Sequence, residues 1–313
     1  MLNRRYLRIK VLQTLYSFFQ DDQKNMNIRE RELLTSIDKI YELYIYLFLL
    51  LKEIRNSNER LTEERKKKRL PTAEDLKPNL KFLNNRVLMA IQNSTELARE
   101  KSARKIGWDA EEDGLIKKLF QTIVASPEYI KYMASEENSL EEDKQLIVTL
   151  YKKYISENDA LKQHLTEKSL HWASDYMLAN ISLIKTVETI KDGAEVELMP
   201  LYKAEEDRDF MLELFRKTIL EDTQNMALIG EKIANWEPER IASMDLLLMK
   251  MAITEVMNFS GIPVKVTLNE YIEISKLFSS PKSNTFINGI LDAIVKDLRS
   301  QNKVVKVGRG LIE

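Results

Sequence analysis

Apolar residues recur along almost the whole chain at spacings of three and four, the repeat of an amphipathic helix. This pattern predicts helices at about 3–20, 28–57, 73–103, 111–134, 139–165, 168–191, 205–221, 223–235, 239–260, 267–278 and 281–301. No strand-like alternation of useful length appears. Residues 58–78 are charged, poor in apolar residues and closed by Pro71 and Pro78, so they read as a loop. Asp192-Gly193 and Pro200 mark a second break at 192–204. These breaks predict an N-terminal helical region over 1–204, with residues 1–21 as its first helix. A C-terminal helical domain over 205–301 and a basic, flexible tail over 302–313 follow.

The C-terminal domain is the most plainly written. Thr267-Leu-Asn-Glu270 has the form of a capping box, with Val266 and Tyr271 placed as a hydrophobic staple. Ser280-Pro281 supplies a cap residue followed by proline at the first helical position. Phe286, Ile290 and Ile294 then recur every four residues, with Ile287, Leu291 and Leu298 beside them. Gly289 inside this stripe predicts a close helix–helix approach, because a mid-helix glycine costs about 1 kcal/mol against alanine.

Composition narrows the function classes. The 313 residues hold 8 Gly and 7 Pro, too few for a turn-rich all-β fold or a glycine-loop cofactor site. Without cysteine there is no disulfide, thiolate nucleophile or Cys-ligated metal, and with 2 His a histidine metal site is not expected. The longest apolar run, Tyr44 to Leu51, is far short of a membrane span, and no signal peptide is visible, so the chain reads as cytoplasmic. Lys and Arg number 48 against 49 Asp and Glu, and charge must therefore be read locally.

The local feature is at the start. Arg4, Arg5, Arg8 and Lys10 fall in the first ten residues with no acid among them. On a helical wheel the three arginines share an arc of about 100° with Leu12, Leu15 and Phe19. Asn3, Lys10, Gln13 and Ser17 lie on the polar side. Cations in a first helical turn oppose the macrodipole, so an anion is expected to meet them. A phosphate matched by the guanidinium fork is one candidate, with Tyr16 and Phe19 available for stacking on bases. A basic end paired with neighbouring carboxylates is the other. The run Arg65-Lys-Lys-Lys-Arg69 reads as a solvated loop balanced by Glu59, Glu63 and Glu64. His164 and His171 have no acidic partner at ligand spacing.

The segment Ile262-Pro-Val-Lys-Val-Thr-Leu-Asn-Glu-Tyr-Ile-Glu-Ile-Ser-Lys-Leu-Phe278, followed by Ser283-Asn-Thr-Phe-Ile-Asn-Gly-Ile-Leu-Asp292, resembles the NusB family of transcription antitermination factors. Leu247 to Glu255 resembles the helix that precedes it there. Arg4-Arg-Tyr-Leu-Arg8 through Gln13-Thr-Leu-Tyr16 resembles the family's arginine-rich start. The resemblance covers about 3–20 and 210–298 and leaves 22–204 as largely inserted helices. Tyr6 and Leu7 stand where arginine and alanine are more usual, so this start is less basic.

The resemblance implies an all-α fold of helical bundles and a non-enzymatic role without cofactor. It implies binding of boxA-type single-stranded RNA together with NusE, the small-subunit ribosomal protein S ten. The setting would be a transcription complex of RNA polymerase and other Nus factors on ribosomal RNA operons. By position it assigns Arg4, Arg5, Arg8, Gln13, Tyr16, Lys282 and Phe286 to RNA and Asp245 to the protein partner. Tyr16 and Phe286 could equally be core. Two other readings remain: a protein–protein scaffold whose RNA role has lapsed, motivated by the insertion, and an RNA methyltransferase. The second lacks the glycine loop and cysteines that such enzymes use.

Overall fold

The computed structural model describes residues 1–233 and 241–311. Among them the chain forms fifteen α-helices and no strand. One isolated parallel bridge joins Leu2 to Tyr202. Among the described residues no helix is long and apolar enough to cross a membrane. The chain divides into two compact units, residues 1–36 with 202–313, and residues 37–201. The first unit takes both ends of the chain, and one boundary falls inside a helix.

Helix α1 (Arg4–Gln20) opens the first unit. The Asn3 side chain caps it by accepting from the Tyr6 N–H at 2.9 Å. Helix α2 (Met26–Lys66) runs on into the first part of the stretch expected to form a loop. Residues 58–66 are mostly Glu, Arg, Lys and Leu, all good helix formers, so charge there meant exposure and not irregular backbone. Glu63–Lys66 pairs along the surface and Glu59 reaches the buried Arg55, while Arg65 and Lys66 suit the negative end of the helix dipole.

Eight more helices lie within 37–201: α3 (Ala73–Leu76), α4 (Arg86–Asn93), α5 (Thr95–Arg104), α6 (Asp113–Val124), α7 (Pro127–Ala134), α8 (Leu140–Leu150), α9 (Asp159–Lys168) and α10 (Leu170–Thr189). Three stretches that read as single helices are broken. Pro78 drives Lys77 out of helical geometry (φ −128°, ψ 66°). Ser126 caps α7 before Pro127, and Asn158 caps α9 after a π turn at Tyr151–Ile155. The core of this unit is threaded by residues 40–51 of α2, all buried. Tyr46 stacks on Trp108 at 4.5 Å and donates its hydroxyl to Glu112 at 3.0 Å. Glu112 also takes Lys168 at 2.6 Å and faces His164 at 3.0 Å. That histidine therefore has an acidic neighbour, brought to it by the fold.

The first unit is completed by α11 (Glu206–Leu220), α12 (Asp222–Lys232), α13 (Ser243–Asn258), α14 (Val264–Phe278) and α15 (Pro281–Ser300). The ends expected at 235 and 239 lie outside the described residues. Ser280 caps α15 as read, accepting from the Ser283 N–H. The stripe on α15 is buried at Ile287, Leu291, Ile294, Val295 and Leu298, whereas Phe286 and Ile290 are half-buried.

Two expectations fail here. Helix α14 begins at Val264, so Thr267 and Glu270 lie inside it and form no capping box. Nothing lies within 4 Å of a Cβ placed on Gly289, so no close helix approach explains that glycine.

The tail is also docked at residues 304–307. Val304 packs against Val256, Val264 and Val295. The Val307 N–H donates to the Ser260 carbonyl at 3.1 Å, and Lys306 Nζ donates to the Phe259 carbonyl at 2.9 Å.

Candidate nucleic-acid interface

The three arginines of α1 line one cleft of about 660 Å³ with Pro263, Val266 and Glu270. Each meets a carboxylate. Arg8 is buried and forms a bidentate pair with Glu255, at 2.7 Å and 2.6 Å. Thr267 Oγ1 and Tyr271 Oη donate to the same carboxylate at 2.8 Å and 3.1 Å. Burial works against the Arg8 charge, but the Glu255 charge and hydrogen bonds outweigh it, and the guanidinium pKa is raised. Arg8 is thus committed to the interior and presents no face to RNA. Thr267, read as a cap, is one of the groups that hold its partner.

Arg4 and Arg5 stay at the surface. Arg4 Nε donates to Asp207 Oδ1 at 2.9 Å, and its guanidinium lies 5.0 Å from the Phe210 ring centroid. Its side chain keeps 36% of its exposure. Asp207 sits in the first turn of α11, where an acid suits the helix dipole. Arg5 pairs bidentately with Glu270 at 2.7 Å and 2.8 Å, with 45% of its side chain exposed. An exposed pair of this kind contributes about 0–1 kcal/mol, so an incoming phosphate can compete for the guanidinium. Hydrogen bonding from Arg5 holds the Glu270 carboxyl below its ordinary range; burial opposes this, and the charges of Arg8 and Arg5 assist it.

Gln13 is exposed and Tyr16 keeps 39% exposure. At about 100° per residue, Arg5, Gln13 and Tyr16 fall within about 80° of arc on α1. Lys10, expected on the polar side, is buried. Lys282 is exposed and Phe286 half-buried, both in the first turns of α15 and outside the arginine cleft. Asp245 is buried and accepts from the Ser279 hydroxyl, so its carboxylate is turned inward and not toward a partner. It braces the turn from α14 into α15 that carries Lys282. Sequence reading missed the acids Asp207, Glu255 and Glu270 as partners of the cluster. Each lies about two hundred residues or more from its arginine, so no local spacing could reveal them.

The NusB family model matches residues 181–296, leaving α1 outside the matched stretch. The chain is 44% identical over 114 residues to the transcription antitermination protein NusB of Salinibacter ruber, covering 36% of this chain and 71% of that relative. It is 40% identical over 110 residues to the protein of the same name from Chloroherpeton thalassium, covering 34% of this chain and half of that relative. For the one from Koribacter versatilis the identity is 36% over 99 residues, covering 32% of this chain and 68% of the relative. No solved structure matches the chain. The match takes in α11 to α14 and most of α15, which supply Asp207, Glu255 and Glu270, and with 71% of the Salinibacter relative covered at 44% identity the chain belongs to the NusB family.

Proposed function

We propose that the chain is a non-enzymatic transcription antitermination factor acting in the cytoplasm. It binds boxA-type single-stranded RNA jointly with NusE, within a complex of RNA polymerase and other Nus factors on ribosomal RNA operons. The observation that carries this reading is the exposed face of α1. There a half-exposed Arg5 shares one stripe with Gln13 and Tyr16, beside a second surface guanidinium, Arg4. Arg4 and Arg5 take phosphates by exchanging Asp207 and Glu270 for them, and Tyr16 offers a ring for stacking. Lys282 and Phe286 extend the contact along the start of α15. Arg8 and Asp245 act from behind as positioning residues, the first fixing α1 and the second fixing the α14–α15 turn.

A second reading has its own observation in favour: each arginine of the cluster already has a carboxylate. On this reading the cluster is structural, and the chain is a protein–protein scaffold in the same machinery.

Titration of labelled single-stranded RNA against the wild-type chain and the Arg4→Ala/Arg5→Ala variant separates the two. RNA binding predicts a slope of log K on log salt that loses about 1.4 when two phosphate contacts are removed, at about 0.7 per phosphate. It also predicts a loss of about 1–3 kcal/mol of affinity in Tyr16→Ala. Equal affinity of wild type and double variant, with NusE still bound, leaves the scaffold.

A further inference from the structure

The geometry points to a second binding site in the first unit: a groove at the docked tail that takes an extended acidic peptide with aliphatic residues at alternate positions. The groove encloses about 900 Å³ between α14, α15 and the tail. It lies largely outside the arginine cleft, and part of its wall, residues 299–311, lies beyond the stretch matched to the family. The inference is independent of the RNA reading.

Three features define the occupant. The floor is aliphatic, built from Val264, Val295 and Val304 with Leu268 beside them. The rim is basic: Lys265, Lys296 and Arg299 are exposed along it, against Asp292 as the acid among its lining residues. One wall is backbone that belongs to no helix. Residues 303–307 alternate, with Val304 turned onto the core and Val305 and Val307 exposed at 62% and 53%. No described residue accepts the N–H groups of Val304, Val305 or Lys306.

Each feature limits the chemistry. Such a non-helical wall with spare N–H groups can hold a peptide by backbone pairing, in which backbone bonds give affinity and alternate side chains give selectivity. Alternate aliphatic residues of that peptide meet the valine floor, and the intervening acids meet the lysines and arginine of the rim. RNA shares the charge requirement but not the floor. Among the described residues no aromatic side chain lines the groove, so these offer bases no ring to stack on.

The test is fluorescence anisotropy on the full chain with a labelled eight-residue peptide alternating Asp and Val. The same length of alternating Lys and Val and an eight-nucleotide uridine strand serve as comparisons. The acidic peptide should bind and the basic one should not. Lys296→Glu/Arg299→Glu, both surface changes, should weaken binding at least about tenfold with helicity unchanged. Absence of acidic-peptide binding to the wild-type chain overturns the site, and so does undiminished binding by the charge-reversed variant. Tighter binding of the uridine strand, lost on charge reversal, assigns the groove to RNA and overturns the peptide reading.

Discussion

Arg8 and Glu255 are 247 residues apart in sequence and form a buried bidentate pair, with Nη2 to Oε1 at 2.6 Å and Nε to Oε2 at 2.7 Å. Removing one partner leaves the other charge buried without compensation. Arg8→Met or Glu255→Leu alone should therefore destabilise the first unit by about 3–5 kcal/mol, whereas Arg8→Met/Glu255→Leu should recover much of that loss. Urea unfolding of the two single variants and the double variant gives the coupling directly. Independent, additive losses would show that the pair does not act as a unit.

Glu270 gives the arginine cleft a pH dependence. Its carboxyl titrates below the ordinary glutamate value of 4.5 in the folded chain, mainly through the Arg5 hydrogen bond. The unfolded chain then binds the proton more readily, so this stabilisation is present in full above the ordinary value. It is lost as pH falls through that value toward the lower folded one. The stability gap between wild type and Glu270→Gln should thus be largest near neutral pH and shrink between about pH 5 and pH 3. A gap that widens on acidification would contradict the assignment.

Gly289 is a stability reserve. It lies exposed in α15 with nothing within 4 Å of its Cβ position. Gly289→Ala should raise stability by up to about 1 kcal/mol through helix propensity alone. Thermal unfolding will read this as a higher midpoint. A lower midpoint would contradict the open surroundings of this position.

Gly310 behaves oppositely. A Cβ added there would sit 1.9 Å from the Ser260 carbonyl oxygen, a backbone atom that has little room to yield. Gly310→Ala should lift the tail off the loop after α13. The Val307 amide, which donates to the Ser260 carbonyl, should then lose its protection from hydrogen exchange. Unchanged protection would show that the tail is held by Val304 and Lys306 without it.

Much of the helical fold was legible because its signals are local. Ser280-Pro281 marks the start of α15, and its apolar stripe names the buried residues Ile287, Leu291, Ile294 and Leu298. Prolines and cap residues decided where helices broke, and Pro78 and Ser126-Pro127 carried that information even where the apolar repeat ran straight through them. Local grammar failed where tertiary partners competed for the same side chains. Thr267 and Glu270 have capping-box spacing, yet Glu255 takes one and Arg5 the other, and α14 starts three residues earlier. The candidate site was half legible for the same reason. The arginine cluster is visible in ten residues, but its carboxylates come from α11, α13 and α14. Only the fold could tell that Arg8 faces inward while Arg5 faces out.

The Glu255 carboxylate has a further consequence. It accepts from Arg8, Thr267 and Tyr271 together, tying α1, α13 and α14 to a single acidic group. A change at any of these positions strands the remainder, so evolutionary drift should find no neutral single step there. Homologous chains should keep the quartet whole or exchange it wholesale for an apolar set, whatever happens to the arginines at the rim.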